Sequence, residues 1–417
     1  MPTQSIRNLD YLVLYLLIAT SGSLRFNALP DKMLIVFLGL IVVYAIMIKK
    51  VRINIPFLGY VAIVYLFLMI GYYYTDRSMP FNSIIGFLVK LFIAYFALLS
   101  IGRNFVDVYI RLFFFLAVVS LVGYIIDLTG LFRGVIQLLP AIGSSGGGYE
   151  GFFNVFASNH HYERNQGIFY EPGAYQIYIN AAIIMLLFCP NSLDQRKRNI
   201  YFVVFTLVII TTISTTAILI YAGVVALVLL KSSKLSGKMK SVIVLSVIIG
   251  SGVASTFIYE VVINKLQGYV AGGQIERSGL GGSGQRRSFD AKVDIEIFKS
   301  DILGVGQKRY AEMFSTIGRT TATSSSNGIT RTFAIFGFPF TLFLFASYYV
   351  GIRKLLPDMF LATFVFLLFI LCINSQSFFV IAPATLAIIA SIFVAKENPR
   401  FVIGHTGKYP NLDEHGK

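Results

Sequence analysis

Tryptophan is absent from the 417 residues, cysteine occurs twice, histidine four times, and charged residues make up only 13%. Each shortage excludes something. A soluble domain of this length carries about a quarter of its residues as charges, so an ordinary globular enzyme is excluded. Cys189 and Cys372 stand at the ends of apolar runs, where small core- or lipid-facing residues are expected and a disulfide is not. Without tryptophan, any aromatic belt at a membrane interface falls to tyrosine. Acidic residues number 20 against 35 Lys and Arg, a formal charge of +15. No basic face with base-stacking aromatics stands outside the apolar runs, so nucleic acid is not an expected partner.

What is present is hydrophobic: 56% of the residues, with a mean hydropathy of +0.73. Apolar runs fall near 11–26, 33–48, 55–74, 81–101, 108–128, 173–189, 200–230, 241–259, 330–350, 359–373 and 378–394. Most approach the ~20 residues that cross ~30 Å of hydrocarbon. No small-residue cleavage site follows the first run, which reads as an uncleaved span.

Basic clusters set the direction of threading. Lys49, Lys50 and Arg52 mark one cytoplasmic loop, Arg196, Lys197 and Arg198 a second, Lys231, Lys234, Lys238 and Lys240 a third, and Arg353 with Lys354 a fourth. These agree only if 200–230 enters and leaves on the same side. The polar break Thr211–Thr216 divides that run into two antiparallel segments of about 15 residues, roughly 22 Å each. Segments so short require tilt, local thinning or a re-entrant path.

The expected fold is therefore an all-α polytopic membrane protein of about 12 transmembrane segments, lying in the bilayer with both termini cytoplasmic. Transmembrane helices occupy 1–128, 173–259 and 330–394; extracytoplasmic loops occupy 129–172 and 260–329; a cytoplasmic tail covers 395–417. The glycine runs in the two loops read as spacers. Loops of this length are nevertheless uncommon unless they carry function.

The first loop ends in Glu163-Arg164-Asn165-Gln166-Gly167-Ile168-Phe169-Tyr170-Glu171-Pro172-Gly173. Pro172 suits a first helical position, which would aim free N–H groups and a positive dipole end at the outer face. Arg164 either reinforces that anion site or pairs with Glu163 or Glu171. In the second loop, Arg286 and Arg287 precede Phe289–Phe298. Phe289, Val293 and Ile297 opposite a polar face suit a short interfacial helix, and the alternation Val293, Ile295, Ile297 also permits a strand. The two arginines either face a lipid phosphate or bridge to Asp290. The loop closes with Asn327-Gly328, and Arg331 follows in the first turn of the next span, where it must snorkel outward or meet an anion. Lys90 lies near the middle of its span, either facing a ligand or paired.

Three pieces taken in order resemble the Wzy/WaaL-type superfamily of O-antigen polymerases and O-antigen ligases. They are Arg164-x-x-Gly167-x-Phe169-x-Glu171-Pro172, then Arg286-Arg287 with an intervening helix to Leu303-Gly304-Val305-Gly306, then Asn327-Gly328 before a span. The broken pair of segments around Ser214 is similar too, whereas residues 1–130 match only as generic spans. The resemblance implies a GT-C-like glycosyltransferase of the bacterial cytoplasmic (inner) membrane, without metal or cofactor. Its substrate would be undecaprenyl-pyrophosphate-linked oligosaccharide, held at the diphosphate by Arg164 and by Arg286 or Arg287, and a chain-length regulator would be a further partner. Ligases carry His before the Asn of the third motif, where this chain has Ser326. That departure, with Glu-Pro in the first motif, favours a polymerase of O-antigen, capsule or exopolysaccharide over a ligase; a flippase or transporter is the more distant rival.

Fixed arginines stabilise a departing pyrophosphate without a metal. A sugar hydroxyl attacking the anomeric carbon in line implies inversion, with Glu171 as the candidate base; its rival role is to cap the helix. The expected catalytic residues are Arg164, Glu171 and Arg287. Arg286, Arg331, Asn327, Tyr170 and Gly167 are the expected substrate contacts. Tyr162, Phe169, Tyr170 and Tyr175 either stack on sugars or pack.

Overall fold

The computed structural model describes residues 8–23, 32–129, 149–152, 155–158, 164–189, 191–230 and 283–397. The apolar run 241–259, the glycine runs, the four-lysine loop, Tyr162, Glu163 and the end of the tail lie outside the described residues.

Helices form on the apolar runs. They are α1 (Asn8–Ala19), α2 (Lys32–Val43, closed by a π-helical turn at Tyr44–Ile48), α3 (Ile55–Tyr74), α4 (Phe81–Ile101) and α5 (Phe105–Leu128). After the first loop come α6 (Pro172–Phe188), α7 (Gln195–Thr211) and α8 (Thr215–Leu230). The chain continues as α9 (Ser283–Ser300), α10 (Gln307–Ile317), α11 (Gly328–Leu355), α12 (Met359–Asn374) and α13 (Pro383–Glu397). Local chemistry fixes several ends. Pro56 and Pro172 occupy first-turn positions, where a missing N–H is harmless. The carboxylates of Asp194 and Asp358 cap α7 and α12, accepting from Lys197 N and Leu361 N at 2.8 Å each.

Three of these stretches, α3, the 48-residue run Phe81–Leu128 through α4 and α5, and α11, are long and apolar enough to cross a membrane. Ile55, Leu58, Leu66, Ile70 and Tyr73 run down one side of α3 and stay exposed. A helix that turns an apolar stripe outward is stable only where its surroundings are apolar too. The fold is that of a helical membrane protein.

The run 200–230 divides where the polar break predicts. Ile213 takes a left-handed backbone (φ 47°) between α7 and α8. The hydroxyls of Thr206 and Tyr221, almost equally far from that turn, share a hydrogen bond of 2.9 Å, so the chain doubles back on itself.

Inside the bundle α4 is buried along most of its length and packs against α13. Phe57 stacks on Tyr95 with ring centroids 3.7 Å apart. The Tyr95 hydroxyl accepts from Asn54 N at 3.0 Å, while Asn54 Nδ2 donates to Phe393 O at 3.2 Å. Beside the π turn, Lys49 and Asp10 form a buried ion pair at 2.8 Å, and Tyr44 donates to the same carboxylate.

Three features depart from the sequence reading. The first loop contains a short antiparallel hairpin, β1 (Tyr149–Phe152) with β2 (Val155–Ser158), so the architecture is helical with one added hairpin. The segment Phe289–Phe298 forms the expected helix, as part of α9, but not the expected interfacial one. Its acidic residues also do not form an outward face: Asp290 and Asp294 are fully buried alongside Val293 and Ile297. The helix packs on α10 and α11, where Ser326 donates to Asp290 and Thr330 to Asp294, instead of lying free at an interface. Finally, α11 is broken at Gly337 (φ 76°) ahead of Pro339. The carbonyls left without a partner there, Ala334 and Ile335, accept from Val305 N and Gly306 N at 3.0 and 3.1 Å. Phe338 N donates to Ile302 O at 2.8 Å, so residues 302–306 fill the break like a short strand.

Candidate functional site

The loop before α6 is built as firmly as a core element. Asn165 N donates to Thr211 O at 2.8 Å, and Asn165 Nδ2 reaches Thr211 Oγ1 (3.1 Å) and Ser120 Oγ (3.3 Å). Its Oδ1 accepts from Gly167 N at 3.1 Å. Gly167 has φ +54°, and a Cβ there would press into the Tyr175 ring at 2.8 Å. Phe169 and Tyr175 are buried, and Phe169 stacks on Tyr178 at 4.6 Å. These aromatics pack; they do not present faces to a sugar. Gly167 likewise serves the turn.

The loop so fixed holds Arg164 at the α7–α8 turn, its Nε donating to Thr212 O at 3.0 Å. Seven residues on, Glu171 stands in extended conformation at the N-cap of α6, yet its side chain caps nothing. The capping alternative is overturned. Instead the carboxylate hydrogen-bonds Gln376, whose Oε1 accepts from Tyr170 OH at 2.9 Å. Gln376 lies across the helix mouth: a Cβ on Gly173 would sit 2.5 Å from its Nε2.

The expected cluster of free N–H groups at that mouth is largely taken up. Pro172 has none, and Ala174 N and Tyr175 N donate to the Glu171 carbonyl at 3.0 and 3.3 Å, which leaves Gly173. Anion binding here depends on cationic side chains more than on the helix.

Those cations converge. Burial pushes the Glu171 carboxyl up, opposed by its bond to Gln376 and then by the charges of Arg287 and Arg164. Burial also lowers Arg164, opposed by Glu171 and reinforced by Arg287. Residues from the first loop and from α9 therefore act on one another across a common, poorly solvated space. Arg287 is half-buried, whereas its neighbour Arg286 is exposed. Arg331 comes from the first turn of α11, its NH1 donating to Ser377 Oγ at 3.1 Å and its guanidinium lying over the Tyr310 ring at 5.9 Å.

The second loop is tied down by buried acids. Asp290 Oδ2 accepts from Ser326 N and Ser326 Oγ at 2.9 Å each. Asp294 accepts from Tyr310 OH at 2.7 Å and from Thr330 Oγ1 at 2.6 Å. Asn327 Nδ2 donates to the backbone carbonyl of Arg287 at 2.7 Å. It holds an arginine in place rather than standing open for substrate.

No family model and no curated protein matches the chain.

The site's chemistry follows from its own groups. Two guanidiniums beside a buried carboxylate can grip a diphosphate and accept a proton next to it. The sequence reading missed Gln376, Ser377, Tyr310 and Asp294, and considered Asp290 only as a bridge partner for the two arginines. Ser375-Gln376-Ser377, a polar tripeptide between two apolar helices, was the one visible signal among them. Lys90 is half-buried on α4. Arg111, on α5, donates through NH2 to Ser192 Oγ (3.1 Å) in the α6–α7 connection, and that hydroxyl donates to Asp107.

Proposed function

We propose that this chain is a membrane glycosyltransferase that polymerises undecaprenyl-pyrophosphate-linked oligosaccharide repeat units at the outer face of the cytoplasmic membrane. The observation that carries the reading is that Arg164 and Arg287, contributed by separate loops, both lie close enough to the buried Glu171 carboxyl to oppose its upward shift. In the reaction, an acceptor-sugar oxygen bonds to the anomeric carbon of the lipid-linked chain, and the bond from that carbon to the diphosphate breaks. Arg164 and Arg287 take up the charge appearing on the departing lipid diphosphate, and Arg331 borders the same region. Glu171 receives the hydroxyl proton; attack from the face opposite the leaving group inverts the centre.

The matching topology has about twelve spans, both termini in the cytoplasm and the site outside. A reporter fused at Ser214 should register as extracytoplasmic; cytoplasmic exposure breaks the threading. For the activity, purified full-length chain is given a lipid-linked repeat unit, alone or with a lipid A-core acceptor. A ladder of repeats without the core supports polymerisation. Transfer only to the core makes it a ligase, and no product with either acceptor defeats the glycosyl-transfer reading.

A further inference from the structure

A second site lies inside the bundle, running from the middle of α6 toward the end away from the candidate site. A cavity of about 160 Å3 opens among the last turns of α4 (Leu98) and α11 (Leu355), the start of α5 (Phe105), the inner length of α6 (Tyr178 to Met185) and α13 (Ser391). The candidate site, in contrast, gathers at the first turns of α6 and α11. Cavity walls are almost wholly apolar, and the few polar side chains are mostly committed. Tyr109 OH donates to Tyr178 O at 3.2 Å, Thr385 Oγ1 to Ala382 O at 2.8 Å, and Ser391 Oγ to Ile388 O at 2.6 Å.

Asn180 is the exception. It lines the cavity and is 1% exposed, and its Nδ2 donates to Gln176 Oε1 at 2.9 Å, but its Oδ1 is buried with no partner. An orphaned amide oxygen carries its full desolvation penalty, and natural interiors rarely leave one unmatched. A single water at Asn180 would answer the oxygen and leave the apolar volume empty. Apolar cavities near ~150 Å3 stay dry and take apolar guests. One molecule satisfies both demands if it has a hydrocarbon body and a single O–H donor, which a surrounding bilayer supplies.

We propose that this cavity binds the O–H-bearing end of a single-chain lipid amphiphile, a long-chain alcohol or protonated fatty acid, with its hydroxyl donating to Asn180 Oδ1. Asn180 continues through Gln176, whose Nε2 donates to Gly173 O at 3.1 Å. The bound hydroxyl thus ends a line of amides reaching the mouth of α6. This site is independent of the glycosyl-transfer reading.

The test places the full chain in phosphatidylcholine nanodiscs with a diazirine-bearing hexadecanol, irradiates, and maps adducts by mass spectrometry. Adducts are expected on cavity segments around Asn180–Cys189 and Cys372–Thr385. Hexadecanol, or palmitic acid at low pH, should compete about three- to tenfold better than hexadecane, the scale of one neutral hydrogen bond. The stronger of the two oxygenated competitors names the source. Asn180→Leu should keep the adducts and erase that preference, and Ala387→Phe should fill the cavity and remove them. If either variant fails to fold, the wild-type competition decides alone. Adducts confined to outward residues such as Leu66 and Ile70, or equal competition by hexadecane, overturn the proposal.

Discussion

The side-chain amide of Asn327 donates to the backbone carbonyl of Arg287 at 2.7 Å. Asn327 is the N-cap of α11, and Arg287 lies in the second turn of α9. This bond, together with that from Thr330 Oγ1 to Asp294, joins the helix bearing Arg331 to the helix bearing Arg287. Asn327, expected as a substrate contact, and Arg287, expected as a catalytic residue, are arranged in series: one holds the other.

Arginines at such a site differ in what their loss costs. Arg287→Ala and Arg164→Ala should each reduce polymer formation by about a hundredfold or more, the scale of removing one preorganised charge partner from a transition state. Arg286→Ala, at an exposed position, should be mild, and Asn327→Ala should fall between. Chain-length ladders on gels, normalised to protein abundance, provide the measurement. Normal ladders in Arg164→Ala and Arg287→Ala remove the diphosphate role.

Glu171 and Gln376 should separate in a pH profile. Glu171→Gln should abolish turnover, while Glu163→Gln should do little. Gln376 donates to the ionised carboxylate and so lowers its pKa against the upward push of burial. Gln376→Leu removes that donor, the carboxyl rises further, and the acid limb of the activity profile should move to higher pH. An unmoved limb with reduced activity would make Gln376 a packing residue.

The break in α11 depends on two glycines meeting. Gly304 has φ +93°, and a Cβ there would lie 2.5 Å from Gly337 N; Gly337, at φ +76°, would place its own Cβ against the Leu303 backbone. Gly337→Ala and Gly304→Ala should each destabilise by at least ~1–3 kcal/mol, since neither the backbone conformation nor the contact admits a methyl group. Thermal unfolding in detergent would show this as a clear drop, against an unchanged melting point for Gly86→Ala, where a Cβ meets nothing within 4 Å.

Asp294 should give stability a pH dependence. Burial, aided by the charge of Asp290, raises its carboxyl from 3.8 to about 6 despite bonds from Thr330, Tyr310 and Ser325. The folded state therefore holds its proton more tightly than the unfolded chain. The group's contribution is complete below its ordinary value and is lost as pH rises through about 6, by of order 2–3 kcal/mol. Asp294→Asn should flatten the fall in melting temperature between pH 5 and 7.5 relative to wild type. An identical slope in the variant would assign that pH dependence to other groups.

Sequence alone determined the apolar helices among the described residues, because a ~20-residue apolar run has few alternatives in a bilayer, whereas the polar α10 went unread. The split of 200–230 was legible from Thr211–Thr216, and Glu171-Pro172 marked the start of α6. It could not decide the orientation of Asp290 and Asp294, since periodicity treats charge as surface and here Ser326, Thr330 and Tyr310 supply the donors inside. Nor could it foresee Gln376, which meets Tyr170 across 206 positions of chain. Pattern along a chain reports what each segment prefers locally. Which segments face one another, and so which charges share a field, is set by packing between distant helices, and that information exists only in the folded molecule.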